Sequence, residues 1–199
     1  MRNLTATICL TIAVLLGSVG VSESADLQRG VAADKRGDYA TALREYRGVA
    51  EQGDFFAQTL LGIMYYEGKG VPQNYGTAVR WYTLAAKQGY MRAQSNLGAM
   101  YETGRGVPKN YKTALRWQTL AAEQGLSGAQ HNLGLMYFRG YGVIKDYVYA
   151  YMWWNIAASS GNRGASKNRD IVAKQMTPSQ LEKAQDLARE CVAKNYKGC

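Results

Sequence analysis

The chain has 199 residues, a formal net charge of +9, one histidine and three cysteines, and 47% of its residues are hydrophobic. That length suits one domain or at most two, and the composition excludes wholesale disorder. So few His and Cys residues exclude the usual zinc sites, and any nucleophile–base device would have to run through His131 alone.

Arg2 precedes an uncharged, mostly apolar run from Leu4 to Leu16, and small residues follow at Gly17, Ser18, Gly20, Ser22, Ser24 and Ala25. This is the layout of a secretory signal peptide. The run is about 13 residues, short of the ~20 that span a bilayer. Residues 1–24 are therefore assigned as a signal cleaved near Ser24/Ala25. The protein is expected to be periplasmic or secreted, from a Gram-negative bacterium, with no stable membrane insertion once the signal is removed. Cleavage removes Cys9 and leaves Cys191 and Cys199, which are expected to form a disulfide in an oxidising compartment. A continuous helix would hold positions eight apart about 12 Å from each other. The last helix must therefore stop near Lys194-Asn195.

The middle of the chain repeats every 36 residues. Gly53, Gly89, Gly125 and Gly161 share a column, as do Tyr39, Tyr75, Tyr111 and Tyr147. Leu61, Leu97 and Leu133 align, as do Gly62, Gly98 and Gly134, and Trp81, Trp117 and Trp153. A fixed period of this size denotes stacked units. In the central copy a first helix is expected over 92–102, with apolar or small residues at three- and four-residue steps. A Gly-x-Gly-Val-Pro loop follows. A second helix is capped by Asn110, whose equivalents are Asp38, Asn74 and Asp146. Gly98 and its partners are expected to let two helix backbones approach closely. The Gly-x-Gly loops join helix to helix three times over, so they read as turns and not as phosphate cradles.

The pattern A-x-x-N-L-G-x-M-Y-x-x-G-x-G-V-P-x-N-Y-x-x-A-x-x-W-x-x-x-A-A-x-Q-G resembles the Sel-one-like repeat, a relative of the tetratricopeptide repeat. Repeats 54–89 and 90–125 match closely. Repeat 126–161 departs at Ile144 and at Ser159-Ser160, and 26–53 resembles a tetratricopeptide unit acting as an N-terminal cap. The resemblance implies an all-α fold, a right-handed α-α superhelix. Residues 162–199 form a degenerate repeat and a capping helix. Thr177-Pro178-Ser179-Gln180 starts that helix with a capping box, and Leu181, Ala184, Leu187, Ala188, Cys191 and Val192 make its apolar face.

The resemblance implies protein–protein or protein–peptide interaction through a concave groove, with no enzymatic activity, cofactor or metal. Asn96, Asn132 and Asn168 are expected to face that groove, where an amide can both donate to and accept from a peptide backbone. Thr59, Tyr66, Ser95, Glu102, His131 and Phe138 are the neighbours expected beside them. Trp154, Tyr149, Tyr151, Phe138 and Tyr141 break the aromatic columns, and either form a partner site or pack under the C-terminal cap. Two alternatives stand beside the scaffold. One is a cell-envelope hydrolase or penicillin-binding, β-lactamase-like enzyme, although this chain lacks the paired cysteines of the cysteine-rich relatives. The other is an accessory protein that binds an anionic envelope polymer, for which the spread of Lys69, Arg80, Arg105, Lys109 and Arg116 would serve. Nucleic acid is not expected as a partner.

Overall fold

The computed structural model describes residues 25–199, so the signal-peptide reading of 1–24 lies outside the described residues. Regular structure here is helical throughout. In chain order the helices are α1 (25–35), α2 (Tyr39–Glu51), α3 (Phe55–Glu67), α4 (Tyr75–Lys87) and α5 (Met91–Thr103). They continue as α6 (Tyr111–Ala122), α7 (Ser127–Arg139), α8 (Tyr147–Ser159), α9 (Arg163–Ala173) and α10 (Pro178–Ala193). This is the all-α helical-repeat fold class that the 36-residue period implies. The chain divides into two compact units, one ending at Asn74 and one running from Tyr75 to Cys199. The division falls between the two helices of the repeat 54–89, not at a repeat junction.

Within the first unit α2 packs on α3. Within the second, α4 packs on α5, α5 on α6, α6 on α7, α7 on α8 and α8 on α9, and α10 returns to lie on α8. The second helices begin where short polar residues can accept an otherwise orphaned amide hydrogen. Asp38 accepts from the Thr41 amide at 3.1 Å, Asn110 from Thr113 at 3.0 Å, and Asp146 from Val148 at 2.8 Å. At α10, Thr177 and Gln180 form the reciprocal capping box, with Pro178 in the first turn.

The first helices bury Ala93, Leu97 and Met100 in α5, and Ala129, Leu133 and Met136 in α7. Beside them runs a column of buried glutamines. Gln58, Gln94 and Gln130 each donate from Nε2 to the carbonyl eight residues earlier, on Ala50, Ala86 and Ala122, at 3.1, 3.3 and 3.3 Å. Each glutamine thus adds a second hydrogen bond to a carbonyl in the last turn of the preceding second helix, one that already accepts from the amide of Gly53, Gly89 or Gly125. That bond fixes the register of one repeat on the next.

The loops confirm their structural reading. Gly106 has φ +71°, and a Cβ there would stand 2.4 Å from the Tyr75 carbonyl carbon. Gly142 has φ +73° and the same relation to the Tyr111 carbonyl oxygen, at 2.4 Å. Only glycine satisfies both the left-handed backbone and the missing side-chain volume. Each loop therefore lies against the start of the preceding repeat's second helix.

The aromatic residues that break the columns are packed. Trp154 is 2% exposed and sits in a cluster with Tyr151, Ala157 and Val172. Phe138 stacks on Tyr147 with ring centroids 5.4 Å apart, Tyr137 on Tyr149 at 5.1 Å, and Tyr141 on Tyr111 at 4.2 Å. Of the two readings left open for these rings, packing describes Trp154 and Tyr151. Trp153 lies instead in the cluster that α10 covers, with Met152, Ile156, Ala188 and Cys191.

Candidate functional site in the first-helix face

The face formed by α5, α7 and α9 in the second unit is built on one recurrent arrangement. A side chain from the second helix of each repeat crosses over the glycine of the first. In repeat 90–125 it is Gln118, fully buried, which donates from Nε2 to the Ser95 carbonyl at 3.1 Å. Its Oε1 accepts from the Ser95 hydroxyl, also at 3.1 Å. In repeat 126–161 it is Trp154, which donates from Nε1 to the His131 carbonyl at 3.1 Å. A Cβ on Gly98 would stand 2.9 Å from Gln118 Nε2, and one on Gly134 would stand 2.4 Å from Trp154 Nε1. The glycine column therefore makes room for a side chain, not for close backbone approach as the spacing suggested. The signal was obscure in the sequence, because Gln118 and Trp154 share a column position but no chemistry.

This floor decides which polar residues remain for a ligand. Ser95 is engaged by Gln118. His131 is half-buried and lies 2.9 Å, through Nε2, from Nδ2 of Asn168. With the amide nitrogen donating, Nε2 is the acceptor and the imidazole is neutral. Burial also holds the His131 pKa below its ordinary value, because the charged form would lose solvation. Asn168 is thereby tied to α7 through its amide nitrogen. Phe138 is half-buried, stacked on Tyr147 and tilted by 45° against Trp154, with Lys145 Nζ 5.8 Å from its ring centroid.

Asn96 on α5 and Asn132 on α7 differ. They hold the same register position one repeat apart, both are half-exposed, and neither side chain hydrogen-bonds among the described residues. Glu102, the last residue but one of α5, is also half-exposed.

Two expected groove residues lie in the first unit. Thr59 is 3% exposed, and its hydroxyl donates to the Phe55 carbonyl of its own helix at 2.8 Å. It is a core residue, with almost no surface to offer a ligand. Tyr66 is half-exposed near the end of α3, and its carbonyl accepts from Gln73 Nε2 at 2.8 Å.

Cys191 and Cys199 are joined as a disulfide with Cα atoms 5.5 Å apart. The helix stops at Ala193, and Asn195 and Tyr196 take positive φ to turn the chain back. Among the described residues, no group of three or more His, Cys, Asp or Glu is placed to hold a metal. Among the same residues, no helix is long and apolar enough to cross a membrane.

The model of the Sel1 repeat family matches residues 56–90, 92–126 and 127–162. Among solved structures the chain is similar to a Sel1 repeat protein from Oxalobacter formigenes. The identity is 30%, the TM-score is 0.66, and the match covers 83% of this chain and 75% of that one. It is also similar to c5321, a protective antigen of uropathogenic Escherichia coli displaying an SLR fold. There the identity is 31%, the TM-score is 0.51, and the match covers 87% of this chain and 47% of the antigen. No curated protein matches the chain.

Proposed function

Because the chain belongs to the Sel1 repeat family, whose repeats generally serve as protein-interaction scaffolds, we propose that it is an exported scaffold holding an extended segment of a partner protein against the α5–α7 face. One observation carries this reading. Asn96 and Asn132 keep unused amide donors and acceptors in register, while the polar residues around them are satisfied within the fold. An extended backbone offers alternating N–H and C=O groups that two such amides can clamp without reading side chains. Glu102 adds a charge at one end, which favours a segment with a basic residue there. Export is supported by the Cys191–Cys199 bond, which suits an oxidising compartment.

The test uses mature protein, residues 25–199, kept oxidised and offered to an envelope extract, with bound proteins identified by mass spectrometry. Its comparison is Asn96→Ala with Asn132→Ala, which removes no buried contact and should leave the circular dichroism spectrum and melting curve unchanged. Proteins retained by the parent and lost from the double variant support the reading. Proteins retained equally by both, or none retained by the parent, overturn it.

A further inference from the structure

The α10–α8 contact points to a second interaction surface. On α8 the face that receives α10 is Met152, Trp153 and Ile156, at 1, 2 and 2% exposure. They share a cluster with Ala188 and Cys191 of α10. The same positions one repeat earlier, on α6, are Arg116, Trp117 and Leu120, and two repeats earlier, on α4, they are Arg80, Trp81 and Leu84. Among the helices of the second unit, to which α4, α6, α8 and α10 all belong, none lies on α4 or α6 as α10 lies on α8. Leu84 is 47% exposed and Leu120 is 36% exposed, and the two tryptophans are half-exposed. The aromatic and aliphatic anchors are thus retained where no helix of the second unit covers them as α10 covers α8.

The one systematic change within the triad is in charge. Where α8 has Met152, α4 and α6 have arginines. Both arginines are exposed, and neither forms an ion pair with a described carboxylate. A solvated face would need no tryptophan, and a buried one would not tolerate arginine. A face that is intermittently covered by something acidic accommodates both.

We propose that the α4 and α6 faces bind an acidic amphipathic helix of a partner protein, laid against Trp81, Leu84, Trp117 and Leu120 as α10 is laid against Trp153 and Ile156, with its carboxylates meeting Arg80 and Arg116. The apolar stripe supplies contact area and the arginines supply orientation, as in helix-in-groove recognition. This surface is separate from Asn96 and Asn132, so it stands or falls independently of the preceding reading.

The probe is a labelled peptide with the α10 sequence, residues 178–193, carrying Cys191→Ser, Lys183→Glu and Arg189→Glu. Apart from Cys191 it keeps the apolar face that this fold already accepts, and it makes the polar face acidic. Fluorescence anisotropy with the full mature, oxidised protein is expected to show saturable binding. Leu84→Ser with Leu120→Ser, both at exposed positions, should weaken it about tenfold or more, or about 1.4 kcal/mol, with the melting curve unchanged. Arg80→Glu with Arg116→Glu should abolish it, and a peptide with lysines at 182, 183, 186, 189 and 190 should recover binding to that variant. Asn96→Ala with Asn132→Ala should change nothing. No binding by the parent overturns the proposal, as does binding indifferent to the leucine and arginine changes. Concentration-dependent self-association of the parent that the leucine variant abolishes also overturns it, since a second copy would then be the occupant.

Discussion

Gln94 and Gln130 occupy the same buried position in consecutive repeats, and their amide nitrogens do the same work. Their oxygens do not. Gln94 Oε1 accepts from Gln124 Nε2 at 2.8 Å, and that same nitrogen reaches the Gly89 carbonyl at 2.9 Å. One repeat on, the position of Gln124 is taken by Ser160, whose side chain is much shorter and carries no amide. Gln130 Oε1 is left buried with no hydrogen-bond partner among the described residues. An unsatisfied buried acceptor costs the loss of its hydration without return. Ser160 is exposed at the end of α8, so a longer side chain has room. Ser160→Gln is expected to raise stability by about 1 kcal/mol, read as a higher urea midpoint at unchanged slope. The same substitution made in a Gln130→Leu background should gain nothing, because the acceptor is gone. Equal gains in both backgrounds would mean that the introduced glutamine acts on the helix terminus alone.

At the scale of elements, the helices were legible because their signals are local. The first helix expected over 92–102 is Met91–Thr103, and Asp38, Asn110 and Asp146 cap the helices they were assigned to. What crossed between elements was not legible. Thr59 sat at a plausible groove step, yet whether that step faces solvent depends on what packs over it. Trp154 falls in a column with Tyr82 and Gln118. Its place over Gly134 is a relation between two helices that periodicity does not encode. The C-terminal element combines both kinds of information. The stop after Ala193 follows from the cysteine spacing, but its destination does not. The returning tail puts the Tyr196 ring within reach of Gly125, and the Gly198 amide donates to Glu123 Oε1 at 3.1 Å. The disulfide therefore holds the tail on the end of α6 as well as closing its own loop. Closing a loop of this size restricts the unfolded chain by about 2.5 kcal/mol on the chain-entropy estimate. In a repeat stack such a loss stays near the end where it occurs. Reduction is accordingly expected to speed amide hydrogen exchange in α10 and at the end of α6, while α5 keeps its protection. A uniform loss across α4 to α10 would show that the bond supports the whole unit instead.

At the scale of the molecule, the second unit must end somewhere, and every repeat exposes a face that the next element would cover. Toward the C-terminus the chain meets this need in two ways. Degeneration makes α9 polar, with Arg169 and Asp170 where leucine and glycine stand elsewhere, and they pair with each other at 2.8 Å. Cover is supplied by α10, which closes over Met152, Trp153 and Ile156. These two devices are not interchangeable, because α8 has already given up the arginine that lets α4 and α6 meet water. Ending the chain after Met176 should therefore leave Met152, Trp153 and Ile156 open to solvent, an apolar patch that invites self-association. The truncated protein is expected to retain helical circular dichroism but to form concentration-dependent oligomers by light scattering. Making this face of α8 polar, by Met152→Arg as on α6 and by Ile156→Gln, should return the truncated protein to a monomer. The same pair of changes in the full chain should be destabilising by several kcal/mol, because they place a charge and an amide beneath α10. Opposite signs in the two backgrounds would identify α10 as a lid on an apolar face. A truncated chain that stays monomeric without the substitutions would show that α8 needs no cover, and that the burial of Trp153 serves packing alone.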